Sequence, residues 1–229
     1  MLQNIAPDIW LRKGPVIKAA AGFHYPTQMV VIRLPGIGLW VWSPIALSDD
    51  VKQALAPLGP VAHLIAPNTL HHMAMQDWQS AYPEAACHGA RGLARKRPDV
   101  AWNSMLGPQA HTGWQEVIDQ VHLPNRIAPE TVFFHRPSRT ALVTDIIQHL
   151  PKGFYSGWRG SIARLDLMTA PQPEVPRKFR LALGRRDATR QAVRDILDWR
   201  AENLIFAHGP PVLGSGHEAL THAFRWLTD

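Results

Sequence analysis

Three strand-like runs of this 229-residue chain end on residue types that bind metals. VAHLIA (61–66) leads to His71 and His72, TALVT (140–144) to Asp145, and NLIFA (203–207) to His208 and Gly209. Loops at strand ends are where a rigid scaffold displays binding and catalytic groups. Imidazoles combined with one carboxylate suit a borderline divalent cation, zinc first, with iron or manganese as alternatives. Taken singly, each residue has an ordinary structural reading. His71 and His72 can decorate a helix, Asp145 can cap the segment 146–150, and His208 can make the turn before Pro210. Taken jointly they read as one metal site. The other nine histidines share no such context.

The elements that must position these residues are legible in outline. QMVVIRL (28–34) and GLWVWS (38–43) read as two strands joined by a Pro-Gly-Ile-Gly turn. Residues 48–58 read as a helix, with Ser48 as cap, Asp49 and Asp50 at its positive end, and Gly59-Pro60 as its stop. A turn and helix follow over 68–82. ETVFFH (130–135) and TALVT form a second strand pair across Pro137-Ser138, and 186–202 is the clearest helix. Residues 151–180 are expected to form short helices and loops. Strand pairs, strand–helix–strand units and hairpins in this order mean mixed α/β with more than one sheet, as a single domain over 1–229.

Composition narrows the classes. The single cysteine, Cys87, forbids an internal disulfide and fits a reducing, cytoplasmic setting. Its surroundings favour a small buried filler over a nucleophile. The N-terminus carries no apolar core after a basic start, so no signal peptide is expected. The most apolar stretch, 29–42, is broken by Arg33, Pro35, Gly36 and Gly38 and cannot span a bilayer. The net charge is +6, with basic residues concentrated over 177–200. That run could bind nucleic acid, but Arg186, Arg190 and Arg194 alternate with Asp187, Asp195 and Asp198, as on a solvated helix face. No stacking aromatics accompany them, so nucleic acid is not the expected partner.

The order of elements resembles the metallo-β-lactamase fold, an αββα four-layer sandwich of metal-dependent hydrolases. The resemblance runs from PDIWLRKG (7–14) through LGPVAHLIAPNTLHHMAMQDWQSAYPEA (58–85) to IFAHGPPV (205–212). Its SPI (43–45) and APNxxHH (66–72) phrases mark a divergent branch. The family motif His-x-His-x-Asp-His aligns with Pro67 to His72, so Pro67 and Thr69 replace the first two histidines, while His71 and His72 stand at the aspartate and last histidine. The family's Pro-Gly-His turn is matched by Pro124 to Pro129, with Arg126 at the histidine. Asp145 matches the bridging aspartate and His208 the final histidine. Trp42-Ser43-Pro44 takes the place of an early aspartate.

The resemblance therefore implies that one of two metal positions is erased and the other kept. His71, His72, Asp145 and His208 are the implied ligands of one divalent metal. Asp145 and His72 are given the catalytic parts, and Arg126 is expected to bind an anionic group of a small-molecule substrate in place of the lost metal. The implied activity is hydrolysis of an ester, amide or phosphoester. The alternative is a non-catalytic relative in which the same residues form a structural metal site or a polar cluster.

Overall fold

The computed structural model describes residues 1–228. Thirteen strands and seven helices are assigned among them. The strands are β1 Gln3–Ala6, β2 Ile9–Lys13, β3 Ile17–Lys18, β4 His24–Tyr25, β5 Gln28–Leu34, β6 Gly38–Trp42, β7 Val61–Ala66, β8 Ala86–Gly89, β9 Ser104–Met105, β10 Ile118–Leu123, β11 Glu130–His135, β12 Thr140–Val143 and β13 Asn203–Phe206. The helices are α1 Asp49–Leu55, α2 Met75–Ala81, α3 Leu93–Lys96, α4 Gly157–Leu165, α5 Arg177–Leu183, α6 Asp187–Asp198 and α7 Gly216–Thr228.

The first sheet runs β1-β2-β5-β6-β7-β8-β9 and the second β10-β11-β12-β13, while β3 and β4 pair by themselves. The β5–β6 hairpin closes with Leu34 opposite Gly38. A Cβ at Gly38 would lie 2.6 Å from the Pro60 carbonyl, and its φ is 134°, so the position admits only glycine. Beyond β6 the first sheet becomes parallel, which requires crossover connections, and α1 and α2 supply them. In the second sheet β12 and β13 are also parallel, bridged by the long segment carrying α4, α5 and α6.

Four layers follow from the alternation of side chains along the strands. Met29 and Val31 of β5 face α1 and α2 through Val51, Leu55 and Trp78. Val30 and Ile32 face the other way, meeting Trp40, Phe133, Leu142 and Ile205 between the two sheets. The far side of the second sheet, with Val132, Phe134 and Leu204, is covered by Val193, Ile196 and Phe224 of α6 and α7. Near-continuous apolar strands such as QMVVIRL are what a sheet covered on both faces demands.

Local expectations needed correction in three places. Ser48 precedes α1, but its hydroxyl bonds the Asp50 carboxylate and makes no cap hydrogen bond; the helix ends at Leu55 and residues 56–58 continue as a 3-10 turn. The arginines of α6 form no ion pair with its aspartates among the described residues. Arg190 instead donates to the Leu227 carbonyl at 2.8 Å and ties α6 to α7. The β3–β4 pair and β9 carry no clear sequence signal, being two residues each. Cys87 is fully buried against Leu64 and Trp78, and burial pushes its thiol up to about 11, which fits the filler role. Among the described residues, no helix is long and apolar enough to cross a membrane.

Three histidines outside the candidate site are held neutral in the interior. Burial, with His111 nearby, pushes His63 down to about 4, and burial with His63 and His111 pushes His88 down to about 3. Burial pushes His135 down to about 4 against a weaker opposing pull from Asp8. In the unfolded chain each returns to about 6.5. Between about pH 6.5 and pH 4 the unfolded chain therefore binds protons that the folded chain refuses, so stability rises with pH across that window and is lost on acidification. One pKa unit corresponds to about 1.4 kcal/mol. The guanidinium midpoint is expected to fall measurably between pH 7.5 and pH 5.0, above the range where most carboxylates titrate. The fall should be smaller in His135→Gln; equal midpoints at the two pH values would refute this.

Candidate metal centre

Asn68 and Glu130 build the site before any ligand is considered. Asn68 is buried just after β7. Its Oδ1 accepts the N–H groups of Leu70 (2.8 Å) and His71 (3.0 Å), a tight turn that short polar side chains favour. Its Nδ2 donates to Thr144 Oγ1 at 2.9 Å and Asp145 Oδ2 at 2.6 Å. One side chain thus joins the loop after β7 to the loop after β12. Glu130 is fully buried at the start of β11 and accepts the backbone N–H groups of Thr144, Asp145 (2.9 Å) and Ile146 (3.3 Å). Burial, then the charge of Asp145, raises its pKa. Neither residue stood out in the sequence. The only signals were an Asn immediately after a strand and an acid opening an apolar one.

This frame brings three predicted ligands together. His71 Nε2 lies 3.2 Å from Asp145 Oδ2, and His208 Nε2 lies 3.2 Å from Asp145 Oδ1. One ligand atom from each of the three lies within 4.8 Å of the others. The far nitrogen of each imidazole is already engaged. His208 Nδ1 donates to the Pro26 carbonyl at 2.7 Å, and His71 Nδ1 meets Ser43 Oγ at 2.7 Å. Ser43 takes a left-handed backbone (φ 52°) as it ends the strand run, which is uncommon for a residue with a side chain. A carbonyl oxygen only accepts, so the Pro26 contact puts a proton on His208 Nδ1; when the ring is neutral, its lone pair is on Nε2 and free for a cation beside Asp145. Burial alone would raise the Asp145 carboxyl, but His71 and His208 override it and hold it well below the usual carboxylate range. Burial opposes protonation of His208, and Asp145 outweighs it, so His208 is raised. Two oriented Nε2 atoms facing both oxygens of a buried carboxylate fit one borderline divalent cation, with outer partners of the kind that orient metal ligands. Three protein donors leave a coordination position free, as catalytic sites do and closed structural sites do not.

Solved structures share the whole architecture. The DIM-1 metallo-β-lactamase, exposed to ceftazidime, aligns with a TM-score of 0.65 at 10% identity, over 99% of this chain and 96% of its own. The metallo-β-lactamase from Pontibacter korlensis aligns with a TM-score of 0.63 at 10% identity, over 100% and 99%. FIM-1 from Pseudomonas aeruginosa, in the mono-zinc form, aligns with a TM-score of 0.62 at 12% identity, over 99% and 95%. The chain has the metallo-β-lactamase fold. No protein-family model and no curated protein matches its sequence.

Two residues of the inferred set, His72 and Arg126, lie outside the cluster of His71, Asp145 and His208. Arg97 Nη1 donates to His72 Nδ1 at 3.0 Å and to its carbonyl at 2.9 Å. With Nδ1 accepting, the neutral ring carries its proton on Nε2 and has no lone pair there for a metal. Burial, Lys96 and Arg97 push its pKa down to about 4 and keep it neutral. Arg126 lies exposed on the turn that Asn125 makes by accepting the N–H groups of Ile127 (2.9 Å) and Ala128 (2.6 Å). That turn sends Ile127, not Arg126, to the cavity. The cavity measures about 580 Å³, with His71, His72, Asp145 and His208 among its lining. Most of its wall is apolar, as ligand sites usually are.

Proposed function

We propose that the chain is a mononuclear metal-dependent hydrolase acting on a small-molecule ester, amide or phosphoester. The observation that carries this reading is the convergence of His71 Nε2 and His208 Nε2 on both oxygens of buried Asp145, within an open cavity. His71, Asp145 and His208 would hold the cation, and zinc suits two imidazoles and one carboxylate. A divalent cation there would supply Lewis acidity and a water made acidic enough to attack at neutral pH. Ser43 and Pro26 keep the two imidazoles aimed, and Asn68 and Glu130 keep Asp145 in register. His72 lines the cavity as a neutral N–H donor to a substrate oxygen, a part that Arg97 enforces by occupying Nδ1. The apolar wall limits water around the reacting group and strengthens those contacts. The single buried cysteine suits a reducing, cytoplasmic setting.

A second reading has its own support: with His71 protonated at Nε2 and His208 at both nitrogens, the Asp145 carboxylate accepts from both rings at 3.2 Å and the three groups satisfy one another. The cluster would then be structural. The two readings separate in one series. Chelated protein is reconstituted with zinc, iron or manganese, its metal content measured, and the products screened against ester, lactone, amide and phosphodiester panels. The hydrolase reading expects about one metal per chain and turnover only in the loaded protein. No uptake sinks it, and uptake with no turnover on any panel favours the structural reading.

A further inference from the structure

We infer that the cavity takes an amphipathic anion, a straight aliphatic chain carrying one negatively charged group. This rests on reading the cavity as the substrate site of the proposed hydrolase, and it names the substrate class. Four exposed large apolar side chains line this single cavity: Ile17 (41% exposed), Leu70 (44%), Met73 (72%) and Ile127 (50%). They come from three separate segments, namely β3, the loop after β7 and the Asn125 turn. Isolated exposed apolar residues need no explanation, but several converging on one opening mark a binding groove.

The lining chemistry selects the ligand. Ile45 continues the apolar wall inward from the exposed four, so the surface is mainly aliphatic, with adaptable Met73 among them. Of the aromatic residues in the lining, Tyr25 already packs on His208 at 5.1 Å, and Lys178 sits over Phe179 at 5.5 Å. A flexible chain fits such a wall better than a planar ring, which seeks stacking faces. Three lysines line the cavity against two carboxylates, Asp77 and Asp145. Lys178 is paired with Asp166 at 3.0 Å. Lys96 donates to the Thr69 carbonyl at 2.6 Å, and neither it nor Lys18 has a carboxylate partner among the described residues. Lys18 and Lys96 are both exposed, so they offer the cavity two ammonium groups without a carboxylate partner among the described residues, a local attraction for one negative group.

Calorimetric titration of the full chain, freed of metal, with straight-chain carboxylates from hexanoate to dodecanoate and with the matching alcohols tests both halves. Burial of each methylene is worth about 0.8 kcal/mol, and about 1.4 kcal/mol is tenfold. Affinity should therefore rise about three- to fourfold per added carbon. That increment should shrink in the double variant Met73→Ser, Ile127→Ser, whose positions are exposed and do not carry the core. Carboxylates should bind at least several-fold more tightly than alcohols at low salt, and the gap should narrow in Lys18→Gln, Lys96→Gln. A series flat with chain length overturns the chain, and alcohols binding as well as carboxylates overturn the anion. Because binding is read without metal or turnover, a flat series beside metal-dependent hydrolysis of short esters would overturn this inference alone. A steep series without hydrolysis would uphold the ligand class while removing the enzymatic reading.

Discussion

Replacing Asp145 with Asn is expected to lower zinc affinity by roughly 100-fold or more, beyond the 10–100-fold that losing an outer partner typically costs. The reason is geometric. Asp145 is the one donor that touches both other donors, at 3.2 Å to each, and the only anionic one among the three. Asparagine keeps the volume and an oxygen for the Asn68 contact, so the loop after β12 should hold its shape. What disappears is the charge that holds a cation between two imidazoles. Competition with a chromophoric chelator reads the affinity directly. Thermal melting provides an independent check, since a ligand at a thousand times its Kd stabilises by about 4 kcal/mol. At 2–4 °C per kcal/mol for a chain this long, zinc should raise the wild-type Tm by about 10 °C and leave Asp145→Asn nearly unmoved. An equal rise in both proteins would show that zinc binds elsewhere.

Replacing Glu130 with Ala is expected to be the most destabilising change near the site. Three backbone N–H groups, of Thr144, Asp145 and Ile146, end on its carboxylate in the interior. Each buried donor left without a partner costs about 1–3 kcal/mol. The sum is about 3–5 kcal/mol after partial rescue by water, or a Tm loss of about 10 °C. Glu130→Gln retains one acceptor oxygen and removes the repulsion from Asp145, so it should lose less than half as much. Because those N–H groups fix the backbone of Asp145, zinc affinity should fall about 10–100-fold in the alanine variant even where the fold survives. Melting within 2 °C of wild type would show that the loop holds itself in place without the carboxylate.

Much of this was legible in the chain before folding. QMVVIRL and GLWVWS were readable as neighbouring strands because the turn between them needs glycine where it occurs, at Gly38. His71, Asp145 and His208 were readable as ligand types because each follows an apolar run that forms a strand. Arg97 is different. It meets His72 from 25 positions away and decides by one hydrogen bond which nitrogen carries the proton. Nothing local to His72 encodes that. Arg126 and Ile127 are adjacent and equally plausible as cavity residues until the Asn125 turn assigns them opposite directions. Glu130 reads as an ordinary strand-opening acid until the loop after β12 lays three N–H groups on it. The sequence by itself determined the elements and the ligand types, since period, turn chemistry and residue type are local properties. Only the tertiary structure decided which nitrogen, which neighbour and which buried carboxylate form the site, because those depend on contacts between segments far apart in the chain.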